Sequence, residues 1–506
     1  MAARGLVRVR LEPLGQLFDV PAGTPLRDVL FAYGVEFPCG GHGRCRKCRV
    51  KLLEGRLPLT GDEEKILRPE ELAAGWRLSC RCAAIGDITL EIGQWETAIL
   101  ADDTEFAFTP RAGFGVAVDV GTTTLVAQLL DLRTGYVLGV RSALNPQTAH
   151  GSDVMSRVQA ALSPAGLTML ASSIREAIGQ MIRELIRSAT FPADVAEVVL
   201  VGNTVMHHLF CAVDPEPLSH YPFRPVDDGL KTFRALDLGW ELPSDPVVQF
   251  LPCLGGFVGS DILAGILATG LDQVERLTGL LDLGTNGEIV LGNRGGIVCA
   301  STAAGPAFEG GRISMGMRAA TGAIAEASVR DGAVAFHVLG GGAPRGICGS
   351  GLVDVVAAGL ELGRIAPSGR FTDGGKQWPL IDPVVLLQRD VRELQLAKGA
   401  VAAGVRLLLA QLRVSAADPD RVHLAGAFGN YVDHTSARRI GLLDFPLDKV
   451  SPAGNTALLG AKIALFRTVP EAREFKELRH LVRHVPLADD PAFEEVYVDS
   501  MTFPLA

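Results

Sequence analysis

The chain is 506 residues long, 48% hydrophobic and 21% charged, with a formal net charge of −9. That length suits roughly two to four domains, and that balance excludes a disordered chain. The acidic balance does not suggest a nucleic-acid partner, and no run approaches about twenty uninterrupted apolar residues, so no membrane span is expected. The opening stretch, MAARGLVRVRLEP, lacks the apolar run of a signal peptide. Nine cysteines without a paired pattern favour a reducing compartment, with the cytoplasm as default.

Along the chain, LVRVRLEPLGQLFDV alternates apolar and polar residues around a Pro-Leu-Gly turn and predicts a β-hairpin. PLRDVLFAYG follows with helical spacing and stops at Gly34. Next comes CGGHGRCRKC, which puts Cys39, Cys45 and Cys48 in one loop where Gly40, Gly41 and Gly43 give the backbone freedom. CRVKLLEG is a returning strand, GDEEKILRPEEL a helix-rich excursion, and WRLSCRC and DITLEI further strands. Cys80 supplies a fourth thiol, and four thiolates so arranged hold two irons and two sulfides. Cys82 lies two residues beyond Cys80 on a predicted strand, so the two share a face and either could reach the cluster.

Residues 5–93 resemble the plant- or adrenodoxin-type ferredoxins. The resemblance implies a β-grasp fold and a [2Fe-2S] cluster on Cys39, Cys45, Cys48 and Cys80. That family places its fourth ligand at the first cysteine of a motif like RLSC, leaving Cys82 as a packed neighbour. Arg44, Arg46, Lys47 and Arg49 surround the loop, either as a solvated rim or as a docking patch for an acidic partner. The first domain is read as 1–93, and the aperiodic stretch 94–112 as a linker.

The remainder repeats itself. GVAVDVGTTTLVAQLLDLRTG is an apolar strand, a tight Asp-Val-Gly-Thr turn and a second strand, and GLLDLGTNGEIVLGN has the same design about 160 residues later. EVVLVGNT and RVHLAGAFGN form a second echo, each an apolar strand entering a glycine turn. Two related lobes follow, 113–277 and 278–506, with a C-terminal segment expected to return to the first. The small residues of the hairpin turns let backbone N–H groups approach phosphate oxygens. Each turn adds a carboxylate, Asp119 or Asp282, able to hold Mg²⁺ through water or to orient an attacking water.

This layout resembles the actin, hexokinase and heat-shock ATPase superfamily, an α/β fold of two ribonuclease-H-like repeats. The resemblance implies a first phosphate loop at 119–124 (Asp119, Gly121, Thr122, Thr123, Thr124) and a second at 282–288 (Asp282, Gly284, Thr285, Asn286, Gly287). It also implies an adenosine loop at 426–429, with Gly426 and Gly429. Joined to the ferredoxin-type domain, the ATPase looks like the reductive activators of corrinoid-dependent methyltransferases. GNTVMHHLF, LPCLGGFVGSDILAG, STAAGPAFEGGRISMGMRAATGAI, ICGSGLVD and LAGAFGNYVD carry that resemblance over most of 113–465.

The resemblance implies ATP-dependent electron transfer from the cluster to a Co(II) corrinoid protein, regenerating Co(I), with ATP and Mg²⁺ as cofactors. It also implies an upstream electron donor, and a homodimer is one arrangement left open. Members of that family carry a longer linker and an extra domain before the ATPase, whereas about twenty residues separate the two parts here. Alternative readings are an ATP-binding electron-transfer platform, an activase for another low-potential enzyme, and a small-molecule kinase with an accessory cluster. The N-terminal motif speaks against the activase, and no sugar-like acceptor site supports the kinase.

Other residues carry weaker signals. Cys211, Cys253, Cys299 and Cys348 sit in apolar or glycine-rich settings that suit core packing. Neighbouring His207 and His208 point in different directions on a helix. Ser260 and Asp261 read as a helix N-cap, and Glu309 in GPAFEGG as a hinge or a catalytic group. The polar stretch 145–153 faces the nucleotide cleft by resemblance.

Overall fold

A computed structural model describes residues 5–12, 16–30, 35, 43, 48–92, 110–151, 153–189, 194–317, 319, 322–339, 343–429, 431–466 and 472–505. Cys39 and Cys45 lie outside the described residues, as do Arg44, Arg46 and Lys47 of the basic rim.

The N-terminal unit is a five-stranded sheet. Its strands are β1 (Leu6–Glu12), β2 (Gln16–Pro21), β3 (Arg49–Glu54), β4 (Trp76–Leu78) and β5 (Ile88–Ile92), in spatial order β2-β1-β5-β3-β4. The alternation in LVRVRLE works as expected: Val9 and Leu11 point into the core while Arg8 and Arg10 face water. Helix α1 (Arg27–Leu30) follows the hairpin and α2 (Gly61–Ile66) follows β3. Its Glu63 is fully buried yet satisfied, accepting from Thr60 N and Oγ1 and from Leu78 N, each at 2.8 Å. Arg49 is committed to Glu71 at 2.8 Å and lies over Trp76, so it serves the fold rather than a free rim.

One expectation fails here. The strand ends at Leu78, and Ser79–Arg81 turn as a 3₁₀ helix, so Cys80 and Cys82 do not share a strand face. Tertiary bonds override the strand pattern, because Ser79 donates from N and Oγ to the Cys48 carbonyl at 3.0 and 2.8 Å.

Two six-stranded sheets follow. The first contains β6 (Phe114–Val120), β7 (Thr124–Asp131), β8 (Val137–Leu144), β9 (Val195–Val201), β10 (Lys231–Arg234) and β11 (Val247–Phe250), ordered β8-β7-β6-β9-β11-β10. Helix α3 (Val154–Ala161) precedes α4 (Pro164–Ser188), which starts at a Ser163 cap with Pro164 in its first turn. α4 buries Leu170, Ile174, Ile178, Ile182 and Leu185 along one stripe. After β9 the chain enters α5 (Thr204–Cys211), and α6 (Ser260–Thr269) closes the lobe.

The second sheet contains β12 (Thr278–Leu283), β13 (Gly287–Asn293) and β14 (Gly296–Thr302), then, after a three-stranded excursion of β15 (Ala323–Arg330), β16 (Ala333–Val338) and β17 (Gly346–Ile347), the strands β18 (Arg421–Ala425), β19 (Val450–Gly454) and β20 (Val482–His484). Its order is β19-β18-β12-β13-β14-β20. In both lobes an antiparallel three-strand meander is joined on its first strand by a parallel fourth and then a parallel fifth. The sequence repeat is therefore a repeat of topology.

Helices α7 (Gly349–Glu361) and α8 (Gln388–Leu412) lie in the second lobe. Helix α9 (Thr456–Phe466) crosses back, packing on β6 and β9 of the first lobe and on α6. The contact is close enough that a Cβ on Gly460 would sit 2.0 Å from the Ala264 carbonyl oxygen. Beyond α9, β20 pairs with β14 and α10 (Phe493–Met501) packs on α8, while Arg479 reaches Asp228 of the first lobe at 2.7 Å. The N-terminal unit touches this lobe through α1, where Arg27 Nη1 meets Glu326 Oε1 at 2.9 Å and Asp28 Oδ1 faces His337 Nε2 at 3.7 Å.

Candidate functional site: a two-lobed nucleotide cleft

A cavity of about 470 Å³ opens between the lobes. It is lined by Asp119, Gly121, Thr122, Thr123 and Thr124 of the first hairpin, by Asp282, Gly284, Thr285 and Asn286 of the second, and by Gly426. The turns lie between β6 and β7 and between β12 and β13, so matching positions of the repeat face one another. Gly287 and Gly429 of the expected set do not line it. Gly287 opens β13 where a Cβ would strike Val401, and Gly429 packs towards Leu424.

Close backbone approach explains the glycines that do line it. A Cβ on Gly121 would lie 2.5 Å from the Thr124 carbonyl oxygen. Gly426 has φ +85°, and its Cβ would fall 2.4 Å from Asp282 Oδ1. The first turn is braced from behind: Asn145 Nδ2 donates to the Gly121 carbonyl at 2.9 Å, and Asn203 Nδ2 to Thr122 Oγ1 at 2.8 Å. Asn455 Nδ2 donates to Asp119 Oδ2 at 2.9 Å while its own oxygen accepts from Leu458 N, so one residue caps α9 and orients a cleft carboxylate.

Several cleft residues had little signal in the sequence. Asp261 and Glu288 join Asp119 and Asp282 in the lining. Asp261 sits in the first turn of α6, whose N-cap is Gly259 rather than Ser260; Ser260 Oγ instead bonds Gly202. Glu309 lines the cavity between Gly305 and Gly310, both at positive φ. It accepts from Thr123 Oγ1 at 3.0 Å and from Thr285 Oγ1 at 2.6 Å, touching both hairpins. Cys348, Phe428 and Tyr431 also line the cleft, and Phe428 stacks on Phe308 with centroids 4.4 Å apart. By contrast, His207 and His208 are buried against backbone carbonyls of Gly229 and Thr204, away from that lining.

The carboxylates repel one another's charge. Burial first, and then Asp119, push Asp282 up to about 7, while burial pushes Asp119 to about 6 against the Asn455 hydrogen bond. Burial, then Asp282 and Asp119, push Asp261 to about 8, and Glu288 is raised by burial and by Asp261 and Asp282. Such a cluster suits a divalent cation, which would relieve the repulsion with hard oxygen donors.

The native protein therefore binds more protons here than the unfolded chain above about pH 4, so this cluster's contribution to stability falls as pH rises towards 8. In EDTA and without nucleotide, Asp282→Asn is expected to be more stable than wild type at pH 8, by about 2 kcal/mol, with little difference at pH 4. Thermal melts at both pH values check this. Equal melting of the two proteins at pH 8 would remove the repulsion argument.

In the N-terminal unit, Cys48 and Cys80 are buried on adjoining elements tied by Ser79. Cys82 Sγ donates to Glu63 Oε1 at 3.5 Å, and burial together with the Glu63 carboxylate pushes its thiol far up. Cys82 is thus engaged by the Glu63 carboxylate within the fold. The soft donors Cys48 and Cys80 fit an iron–sulfur cluster.

The comparisons with known proteins agree in every segment. Residues 9–84 match the 2Fe-2S iron-sulfur cluster binding domain, 114–274 the RACo middle region, and 276–506 the C-terminal domain of RACo, the ASKHA domain. The corrinoid activation enzyme RamQ of Eubacterium limosum is 35% identical, over 77% of this chain and 70% of its own length. This chain belongs to the family of corrinoid-protein reductive activators. Another relative of this activator, the [Co(II) methylated amine-specific corrinoid protein] reductase of Methanosarcina barkeri, is 26% identical over 77% of each chain. The solved reductive activator for corrinoid,iron-sulfur protein superposes with a TM-score of 0.71 at 28% identity, covering 98% of both chains.

The family's middle region is present at 114–274, the stretch read from the sequence as the first ATPase lobe. Among the described residues, no helix of this activator is long and apolar enough to cross a membrane.

Proposed function

We propose that this protein uses Mg-ATP in the cleft to drive one-electron reduction of a Co(II) corrinoid protein to Co(I). The observation that carries the reading is the meeting of Asp119 and Asp282, from the two repeats, in one cavity on a chain that also carries the cluster motif. When bound, a plant-type cluster supplies one electron at about −400 mV. For a one-electron step, each 59 mV uphill costs about a tenfold factor in the equilibrium, so a lower-potential cobalt needs a second energy source.

The chain's own residues divide the work. Backbone N–H groups of the 119–124 and 282–288 turns and the threonine hydroxyls hold phosphate oxygens. Asp119 and Asp282 would hold Mg²⁺, which would neutralise phosphate charge, and Asp282 would orient the attacking water. Gly426, Phe428 and Tyr431 receive the nucleoside. Occupation draws the two lobes together. The motion reaches β17, which runs into Cys348 at the cleft and belongs to the sheet that α1 touches. An upstream electron donor recharges the cluster, in the cytoplasm.

The test is anaerobic. Reconstituted protein, a cognate Co(II) corrinoid protein and a strong reductant are mixed, and Co(I) absorbance is followed with and without Mg-ATP. Co(I) should appear only with ATP. ATP turnover without Co(I) would discard the partner, and absence of turnover would leave an electron-transfer platform.

A further inference from the structure

Glu309 touches both phosphate-binding hairpins at once. Its Oε2 accepts from Thr123 Oγ1 on the first lobe at 3.0 Å, and its Oε1 from Thr285 Oγ1 on the second at 2.6 Å. A threonine hydroxyl has a single proton to donate. A phosphate oxygen that accepts from Thr123 and Thr285 needs the same two protons, so phosphate and Glu309 exclude each other there. Two oxygens on one carbon, negatively charged, present to these hydroxyls the acceptor pattern of one edge of a phosphate.

The carboxylate is placed by its backbone. Pro306–Glu309 form a 3₁₀ turn between Gly305 and Gly310, which have φ +77° and +78°. A Cβ on Gly310 would lie 2.6 Å from the Met317 carbonyl oxygen, and one on Gly349 would lie 1.7 Å from that of Phe308. This short turn is therefore clamped between α7 and residue 317. Buried Arg157 adds positive charge whose field reaches Glu309.

We infer that Glu309 is a phosphate-mimicking clasp, which holds the two hairpins together through Thr123 and Thr285 and is exchanged for the terminal phosphate of ATP. The inference rests on the nucleotide reading of the cleft. The clasp sets nucleotide affinity and selectivity: ATP must displace it, and a nucleotide whose phosphates do not reach both hydroxyls leaves it in place. No bond to phosphorus is made or broken in this exchange.

Titration of Mg-ATP and Mg-ADP into wild type, Glu309→Ala and Glu309→Gln tests it. Glu309→Ala frees both hydroxyls, and the Kd for ATP should fall about tenfold, with a smaller change for ADP. Glu309→Gln keeps the volume and one acceptor and should lie between. In protein without nucleotide, amide exchange in 119–124 and 282–288 should be faster in Glu309→Ala, and ATP should restore protection. An ATP affinity unchanged or weakened in both variants overturns the exchange. Wild type that binds no ATP would instead defeat the nucleotide reading, and hairpin exchange unaltered by the substitution would then defeat the clasp as well.

Discussion

Asp282→Ala is expected to lower ATP-dependent Co(I) formation by at least about a hundredfold, and Asp119→Ala to do the same. The cluster's visible spectrum should be unchanged in both, because neither residue belongs to the N-terminal sheet. The two carboxylates act at one place from two lobes, so neither substitutes for the other. Asp119 is oriented by Asn455, and Asp282 lies where Gly426 approaches without a Cβ. Loss of either removes one of the two hairpin carboxylates proposed to hold Mg²⁺. The measurements are phosphate release and Co(I) absorbance under anaerobic conditions. Retention of ATP-dependent reduction in both variants would sink the assignment of the cleft. Loss of reduction in Asp119→Ala with turnover intact would instead place Asp119 in coupling rather than hydrolysis.

Cys80→Ser is expected to lose most of the cluster, and Cys82→Ser to keep it. The two thiols are near neighbours in sequence, yet their surroundings differ. Cys80 lies in the turn that Ser79 ties to the backbone of Cys48, while Cys82 is spoken for by Glu63. A hydroxyl in place of the Cys82 thiol can still donate to Glu63, so the buried carboxylate keeps its partner and the sheet its packing. A hydroxyl at Cys80 is a harder and poorer donor to iron. Iron per chain and the visible circular dichroism of the two variants decide between them. Cluster loss in Cys82→Ser, with retention in Cys80→Ser, would reverse the choice of fourth ligand.

Much of the architecture was legible without coordinates. The cysteine loop, the alternating strands and the doubled Asp-apolar-Gly-Thr hairpin are local patterns, in which backbone freedom, side-chain period and chemistry occur within a few residues. They were enough for the β-grasp and actin-like reading, and for ten of the residues lining the cleft.

Other features were decided only by the tertiary structure. Cys80 and Cys82 looked equivalent as a strand pair until Ser79 reached across to Cys48 and turned the chain. Asp261 looked like a helix cap, Glu288 like the end of the second phosphate loop and Glu309 like a hinge or a catalytic group. Each became a cleft residue when strands some 160 residues apart were laid face to face. Thr123 and Thr285 are far apart in the chain, and nothing local to either predicts that one carboxylate accepts from both. The sequence determined which chemical groups each lobe carries, because a turn's chemistry is written in neighbouring residues. Which groups meet, and which protonation states they then prefer, depended on burial and on charge brought together across the fold.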